Sequence, residues 1–321
     1  MVIASRASDI RPDATDVRIM NLLVGDGRMS NRDLATEVGL TEATIASRIK
    51  NLTERRVFRV GALVDWSAAG YQFGATIMLG VETGELAAVG HVLSDLPLVY
   101  FVGAVFGSAD LVVSALVTDH HDVGRLTDQI SSIDGVNRMI VNTTFATAKY
   151  HYRYAMLGRP PAVVEFPAPC LSLDELDRSI IAALVDDGRT SNRELGRKLG
   201  YAEGTVRARL RRLEESGLLH IRAQMDPFLA HELGSLAYVG IEVEGSHVAS
   251  AIDSLVAMPT VLSLSRSTGR HQLLAAVGAA ERSMLVGAVM NDLQSLPGIR
   301  STETWEFVDF VKMSSYLVRF V

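Results

Sequence analysis

The chain has 321 residues, of which 48% are apolar and 21% are charged, and its formal net charge is −6. These values are typical of a soluble globular protein with two to four small domains, and they exclude a nucleic-acid binder that is basic throughout. No apolar run reaches the ~18 residues that span a membrane, and no apolar core of a secretory signal is present. The single cysteine, Cys170, allows neither an intrachain disulfide nor a cysteine-based zinc site, so we expect a cytoplasmic protein.

The first part of the sequence recurs in the middle of the chain. Asp13–Asp65 aligns with Asp174–Asp226 without a gap, and roughly 20 of about 53 positions are identical. Each copy predicts three helices, of which the second ends at a glycine turn and the third has an exposed polar and basic side. This order predicts a helix-turn-helix in each copy. Within the copies, Asp16–Ala62 and Asp177–Ala223 carry net charges of about +2 and +3, which leaves about −11 for the remainder.

Helix caps are predicted at matching positions of the two copies. Asp13 can accept hydrogen bonds from the free N–H groups of helix one, and Ser30 with an acid three residues later predicts a capping box for helix two. Gly39 supplies the left-handed residue that ends helix two. Thr41 can cap helix three in the first copy, whereas Ala202 offers no cap in the second. The first copy also lacks the glycine that ends helix three in the second.

The outward side of helix three and the start of helix two predict contacts with double-stranded DNA. A third helix of this kind fits the major groove, and the second helix crosses the DNA backbone. The candidates in the first copy are Asn31, Arg32, Glu42, Thr44, Ser47, Arg48 and Asn51. Those in the second copy are Asn192, Arg193, Glu203, Thr205, Arg207, Arg209, Arg211 and Arg212.

The arginines of the second copy have few acids nearby in the sequence apart from Glu214 and Glu215, so we expect them mainly to meet phosphate. Two alternatives stay open. Arg48 and Arg209 would also suit salt bridges within their domains, and a tri-helical fold can serve protein contacts alone.

After each copy the apolar pattern changes. The order β-α-β-β-α-β over Tyr71–Ala148, and again over Ser235–Val311, predicts two ferredoxin-like units. The fold class is therefore α+β, with two copies of a helix-turn-helix followed by a ferredoxin-like domain. The predicted domains are 1–65 and 172–226, each a helix-turn-helix with a connector strand, and 66–150 and 227–321, each ferredoxin-like, with a proline-rich, semi-rigid linker at 151–171.

These motifs resemble the leucine-responsive/AsnC (Lrp/AsnC) family of bacterial and archaeal regulators in a tandem two-unit form. The resemblance rests on the Asp-x-x-Asp that opens each copy, the Asn-Arg-x-Leu of helix two, the glycine after it, the Arg-x-x-x-Leu of helix three, and Gly107-x-x-Asp110-Leu111. It implies a winged-type DNA-binding domain and a ferredoxin-like domain that dimerises and binds small effectors, typically amino acids. It also implies that one chain supplies both halves of a pseudo-dimer and that chains associate further into a homo-oligomer.

The candidate effector residues are Gly107, Ser108, Asp110 and Gly269. A Gly-x-x-Asp between strands is commonly only a hairpin turn. The resemblance adds the alternative of an effector pocket, where an acid suits a ligand ammonium group and free backbone N–H groups suit its carboxylate. The second unit carries Gln272 where Asp110 stands in the first.

The sequence therefore predicts a sequence-specific transcriptional regulator, not an enzyme, that responds to an amino acid or a related metabolite. We expect no metal, cofactor or membrane partner, and we interpret Trp66 and Trp305 as packing or interface aromatics. The alternative is an enzyme of the same architecture, because siroheme decarboxylases resemble this two-unit arrangement. Their tetrapyrrole contacts would require an aromatic and basic cluster that Val99–Val117 and Val261–Val277 lack, apart from the neighbouring Arg270 and His271.

Overall fold

The computed structural model describes residues 12–154, 166–226, 228, 233–313 and 316–320. Most of the predicted linker, 155–165, lies outside these residues. The first half contains α1 Ala14–Gly25, α2 Asn31–Val38, α3 Glu42–Glu54, β1 Phe58–Asp65, β2 Phe73–Val81, α4 Leu86–Asp95, β3 Val99–Phe106, β4 Leu111–Val117, α5 His120–Ser131 and β5 Val136–Tyr150. The second half contains α6 Glu175–Asp186, α7 Asn192–Leu199, α8 Glu203–Glu215, β6 Leu219–Met225, β7 Ser235–Val243, α9 Val248–Ala257, β8 Val261–Thr268, β9 Leu273–Ala279, α10 Arg282–Gly287, β10 Ile299–Met313 and β11 Leu317–Val318.

The predicted caps set the helix boundaries, with one correction. Asp13 and Asp16 form a reciprocal capping box at the start of α1. The capping box predicted for helix two is wrong. Ser30 accepts from the Asp33 N–H group, but its own hydroxyl donates to the Asp33 carboxylate and so takes the place of the backbone donor. In the second copy the corresponding acid, Glu194, lies 3.2 Å from Lys198 Nζ instead.

The two helix-turn-helix units share one hydrophobic core with the connector strands. Strands β1 and β6 pair antiparallel, from Phe58 opposite Met225 to Val64 opposite Leu219. Each unit also rests on the connector of the other copy, because the Gly27 N–H group donates to the Ile221 carbonyl at 3.1 Å. A Cβ at Gly27 would lie 2.7 Å from that oxygen, so only glycine allows this approach.

The two ferredoxin-like sheets close into a single eight-stranded barrel. The strand order is β10-β3-β4-β2-β5-β8-β9-β7, and β5–β8 and β10–β3 are the two seams between the halves. Helices α4 and α5 cover the outside of the first half, and α9 and α10 that of the second. Aromatic side chains fill the barrel interior, including Phe101, Phe310 and the fully buried Trp305. The packing interpretation of Trp305 is therefore confirmed.

Two equivalent lysines connect the halves across the seams. Lys149 on β5 donates to the Val256 and Met258 carbonyls, at 2.8 and 2.9 Å, at the end of α9. Lys312 on β10 donates to the Ser94 carbonyl at 2.9 Å, in the last turn of α4. Each ammonium group meets the negative end of a helix in the other half. In the part of the chain that is described, no helix is long and apolar enough to cross a membrane.

Candidate nucleic-acid interface and effector turns

The third helices bury their apolar sides and present polar sides to solvent. Ile45 and Leu52 of α3 lie in the shared core, as do Val206, Leu210 and Leu213 of α8. On the outward sides, Glu42, Ser47, Asn51, Glu203, Thr205, Arg207, Arg211 and Arg212 are exposed. Thr44 is half-buried, and its hydroxyl lies 2.8 Å from that of the cap residue Thr41. Both outward sides are thus open to a large partner.

Arg48 forms the intradomain salt bridge that the sequence left open. Its Nη1 lies 2.7 Å from both Asp13 Oδ2 and Asp16 Oδ1. The Asp16 backbone N–H group and the Arg48 guanidinium together hold the pKa of Asp13 below its usual value. Arg209 repeats the contact, 2.7 Å from Asp174 Oδ2. Both arginines tie helix three to helix one and keep about a third of the side chain exposed, 32% and 34%.

The expectation that the arginines of α8 have few acids nearby apart from Glu214 and Glu215 is wrong for Arg209 and Arg212, which meet Asp174 and Asp177. Arg212 pairs with the fully buried carboxylate of Asp177, and Arg211 Nε lies 2.7 Å from Glu215 Oε1. This pairing was not predicted, because Asp177 lies in α6, 35 residues before Arg212 and two helices away along the chain. Among the residues described, Arg207 is exposed and forms no ion pair. It is the cation of α8 most available to a phosphate.

The start of helix two lies beside the other helix-turn-helix unit. Arg32 and Arg193 are exposed, but Asn31 and Asn192 are half-buried where the units meet. The side-chain oxygen of each asparagine accepts a hydrogen bond, at 3.0 Å, from an arginine of the opposite unit. Sequence reasoning did not select these arginines, Arg28 and Arg189. Their identity in both copies, directly after a repeated glycine, was the available signal.

The turns that contain the candidate effector residues keep a hairpin geometry. Gly107 and Gly269 have φ values of 141° and 120°, where side chains are strained. Asp110 Oδ2 accepts from the Val81 N–H group at 2.8 Å, and Gln272 Oε1 accepts from the Val243 N–H group at 2.9 Å. The glutamine therefore performs the same structural task as the aspartate, without its charge.

Both turns approach Glu303 of β10, which sequence reasoning missed. Ser108 donates to this carboxylate, and Arg270 Nη2 and His271 Nε2 lie 3.3 and 3.2 Å from its Oε2. Trp305 Nε1 donates to Ser108 Oγ at 3.1 Å. His271 is 2% exposed, and burial lowers its pKa despite the nearby glutamate. The end of the barrel thus holds charges of both signs, from the carboxylates of Glu303 and Asp110 and from the half-exposed Arg270.

The residues described contain no group of histidine, cysteine, aspartate and glutamate that would hold a metal ion. A cavity of about 650 Å³ lies outside the barrel interior, between the segment after β1 and strand β5. Its lining includes Trp66, Phe145 and Arg319, and Arg319 Nη1 is held 2.8 Å from both oxygens of Asp65. The barrel interior itself is occupied by the aromatic residues described above.

Family models match most of the chain in segments. An AsnC-type helix-turn-helix domain matches residues 13–53 and 173–214. An Lrp/AsnC ligand binding domain matches residues 74–154, and a C-terminal dimeric alpha+beta barrel domain matches residues 234–319. The order of these segments is that of two helix-turn-helix units, each followed by an α+β unit.

Curated relatives match one segment of the chain. An uncharacterized HTH-type transcriptional regulator of Pyrococcus abyssi is 35% identical over 136 residues, which are 42% of this chain and 85% of the relative. The HTH-type transcriptional regulator FL11 of Pyrococcus horikoshii is 32% identical over 125 residues, which are 39% of this chain and 83% of FL11.

Among solved structures, the siroheme decarboxylase NirDL aligns with a TM-score of 0.64 over 96% of this chain and 94% of NirDL, at 17% identity. At this identity the likeness shows that the fold of the whole chain is shared, and it carries no statement about activity.

Proposed function

Because the chain belongs to the Lrp/AsnC family of transcriptional regulators, we propose that it binds operator DNA through both helix-turn-helix units and that a small effector modulates this binding. The observation that carries the proposal is the exposed polar side of α3 and α8, on two units that share one core. Two helices held on one body can enter successive major grooves. Linked sites also raise affinity when the spacing lets both engage.

The two units are proposed to contribute differently. In the first, we assign the reading of base edges to Ser47 and Asn51, with Thr44 and Glu42. In the second, Arg207 contacts phosphate, with Glu203 and Thr205 at the start of the same helix. Arg32 and Arg193 meet the DNA backbone. Asn31 and Asn192 contribute their Nδ2 groups, which can donate to phosphate oxygens while their side-chain oxygens accept from arginine. Arg48, Arg209, Arg211 and Arg212 act mainly through the exposed parts of guanidinium groups that are already paired.

Selection from a random-sequence duplex library, followed by gel shifts on the enriched sequence, tests the DNA proposal. We expect an enriched motif and an affinity that falls steeply with salt. Asn51→Ala should relax the preference at one position of the motif by about 1–3 kcal/mol, because one bidentate contact to a base carries that much discrimination. An unchanged motif and affinity in this variant would contradict the assignment of α3.

The effector is proposed to be an amino acid or a related metabolite bound at the barrel end, next to Gly107, Ser108, Asp110 and Gly269. The support is the charge arrangement there, since Glu303 suits an ammonium group and the half-exposed Arg270 suits a carboxylate. Thermal unfolding with each of the twenty standard amino acids tests this. One amino acid should raise the unfolding midpoint, since a ligand at 100 times its Kd stabilises by about 2.7 kcal/mol. Arg270→Gln should abolish the rise.

Because the fold is shared with NirDL, the alternative function to test is that of an enzyme acting on a tetrapyrrole. A regulator without catalytic activity should give no saturable change in the absorption spectrum when an iron uroporphyrin is titrated with the chain. Tight stoichiometric binding would favour the enzyme. Association of chains into a homo-oligomer, also proposed, is measured by sedimentation of the same samples.

A further inference from the structure

Two arginines outside the candidate DNA-contacting sides connect the two helix-turn-helix units. Arg28 and Arg189 occupy equivalent positions in the turn between the first two helices of each unit. Arg28 Nη1 donates to Asn192 Oδ1 at 3.0 Å, and its Nη2 donates to the Thr190 carbonyl. The contact therefore ends on the residues that begin α7, the helix directly before α8.

Arg189 makes the equivalent contact in the opposite direction. Its Nη2 donates to Asn31 Oδ1 at 3.0 Å, and its Nη1 donates to the Gly27 and Met29 carbonyls at 3.1 and 3.0 Å. We call this reciprocal set, formed by Arg28 and Arg189 with Asn192 and Asn31, the arginine clamp. Its geometry depends on a planar guanidinium with several donors, which a lysine ammonium does not reproduce.

The clamp lies at a polar, loosely filled part of the contact between the units. Both guanidinium groups are half-buried, and burial lowers their pKa. Glu214, Asp187 and Asp26 act in the opposite direction on Arg28, and Asp187 and Asp26 do so on Arg189. A cavity of about 330 Å³ is lined by the two arginines, Ser191 and Asn192. The connector strands belong to the shared apolar core, whereas at the starts of α2 and α7 the two arginines form polar contacts between the units.

We propose that Arg28 and Arg189 are spacing-determining residues, which fix the separation of α3 and α8 and so the distance between the two half-sites that the chain binds. The connector strands hold the bases of the units, whereas the clamp joins the starts of α2 and α7. Each of these helices is followed, after a short turn, by the helix proposed to enter the groove. The DNA part of this inference rests on the proposed function, but the separation of the helices does not.

The first test needs no DNA. The native cysteine is first removed by Cys170→Ser. Nitroxide labels are then attached at Lys50→Cys and Arg211→Cys, which are equivalent exposed positions on α3 and α8. Pulsed electron spin resonance measures the distribution of distances between the two labels. The distribution should be narrow in the parent chain and clearly broader with Arg28→Gln and Arg189→Gln. Arg32→Gln with Arg193→Gln removes the same charge outside the clamp and should leave the width unchanged. An equal width in the clamp variant overturns the proposal.

The second test measures spacing. The enriched motif pair is synthesised with its separation changed by two base pairs in either direction, and affinities are measured by fluorescence anisotropy. The clamp variant should lose about tenfold of the preference for the best spacing, equivalent to about 1.4 kcal/mol. The Arg32→Gln, Arg193→Gln control should weaken binding at every spacing and keep the preference. An unchanged preference in the clamp variant overturns the spacing role.

The outcomes separate the two proposals. If no motif is enriched by the parent chain, the proposed function fails, and the label distances alone decide whether the clamp fixes the helices. If the glutamine variant does not fold, as judged by circular dichroism, Arg28→Lys with Arg189→Lys replaces it. That variant retains both charges but not the forked hydrogen bonds, and it should show the same broadening.

Discussion

At the scale of single residues, burial makes the protonation of His271 dependent on folding. The imidazole is 2% exposed and lies 3.2 Å from Glu303, and burial lowers its pKa from the ordinary 6.5. The folded chain then binds fewer protons than the unfolded chain between the two pKa values. The stability contributed is complete above about pH 6.5 and is lost as the pH falls through the folded pKa.

We therefore expect the midpoint of thermal unfolding to fall as the pH is lowered from 7 towards 5, and His271→Gln to make this fall less steep. Some slope should remain, because burial also lowers the pKa of His151 and His220. His121→Gln, at an exposed position, is the matched control and should keep the parent slope. A parent-like slope in the His271 variant would show that this group does not carry the acid sensitivity.

Arg207 and Arg211 allow a matched comparison of free and paired cations on one helix. Arg207→Ala should weaken DNA binding across sequences and reduce the slope of log affinity against log salt by about 1, because one phosphate contact is lost. Arg211→Ala removes the same charge, but its partner Glu215 already offsets that charge, so the slope should change less. Fluorescence anisotropy on one duplex over a salt series measures both. Equal slopes would contradict the special position of Arg207.

At the scale of elements, the third helices end differently although they share one geometry. α3 is followed by Arg56 at φ 60°, whereas α8 is followed by Gly217 at φ 74°. The Val57 N–H group reaches back to the Leu52 carbonyl at 3.0 Å, so the left-handed residue is needed to close the helix. A side chain in this conformation costs roughly 1–2 kcal/mol.

Arg56→Gly should therefore stabilise the first unit by up to about 1 kcal/mol, after part of the gain is offset by the greater freedom of glycine in the unfolded chain. The reciprocal Gly217→Ala should destabilise the second unit by a similar amount. Thermal unfolding followed by circular dichroism measures both variants against the parent. Opposite signs would indicate that contacts of the Arg56 side chain outweigh the backbone strain.

The helix ends could be predicted where a rule that involves only neighbouring residues determines them. Asp13, Gly39 and Thr41 mark helix ends because each satisfies or ends a backbone hydrogen-bond ladder within a few residues. Contacts that join distant segments followed no such rule. The pairing of Arg48 with Asp13 and the approach of Arg270 to Glu303 depend on how the elements within one copy pack. The contact of Arg28 with Asn192 depends on how the two copies pack against each other. A 3.6-residue period also does not predict that the helix continues from α10 into a π-helical turn at Ala288–Leu293.

At the scale of the whole molecule, each structural layer is built from both halves. The helix-turn-helix units share one core, and the barrel closes only through the β5–β8 and β10–β3 seams. A half on its own would expose the unpaired edges of two strands and the apolar surface between them. The linker between the halves is then a covalent tether whose continuity the folded body does not require.

Because both layers are shared, we expect the two halves to stay together after the chain is cut between them. A protease site inserted within 155–165 should be cleaved to give two fragments that still elute together in size-exclusion chromatography. Their unfolding midpoint should become dependent on concentration, because association replaces an intramolecular contact. In strong denaturant the fragments should separate, which serves as the control. Separation in native buffer would mean that the seams, the shared core and the arginine clamp are too weak to hold the halves together, and that the tether maintains the pseudo-dimer.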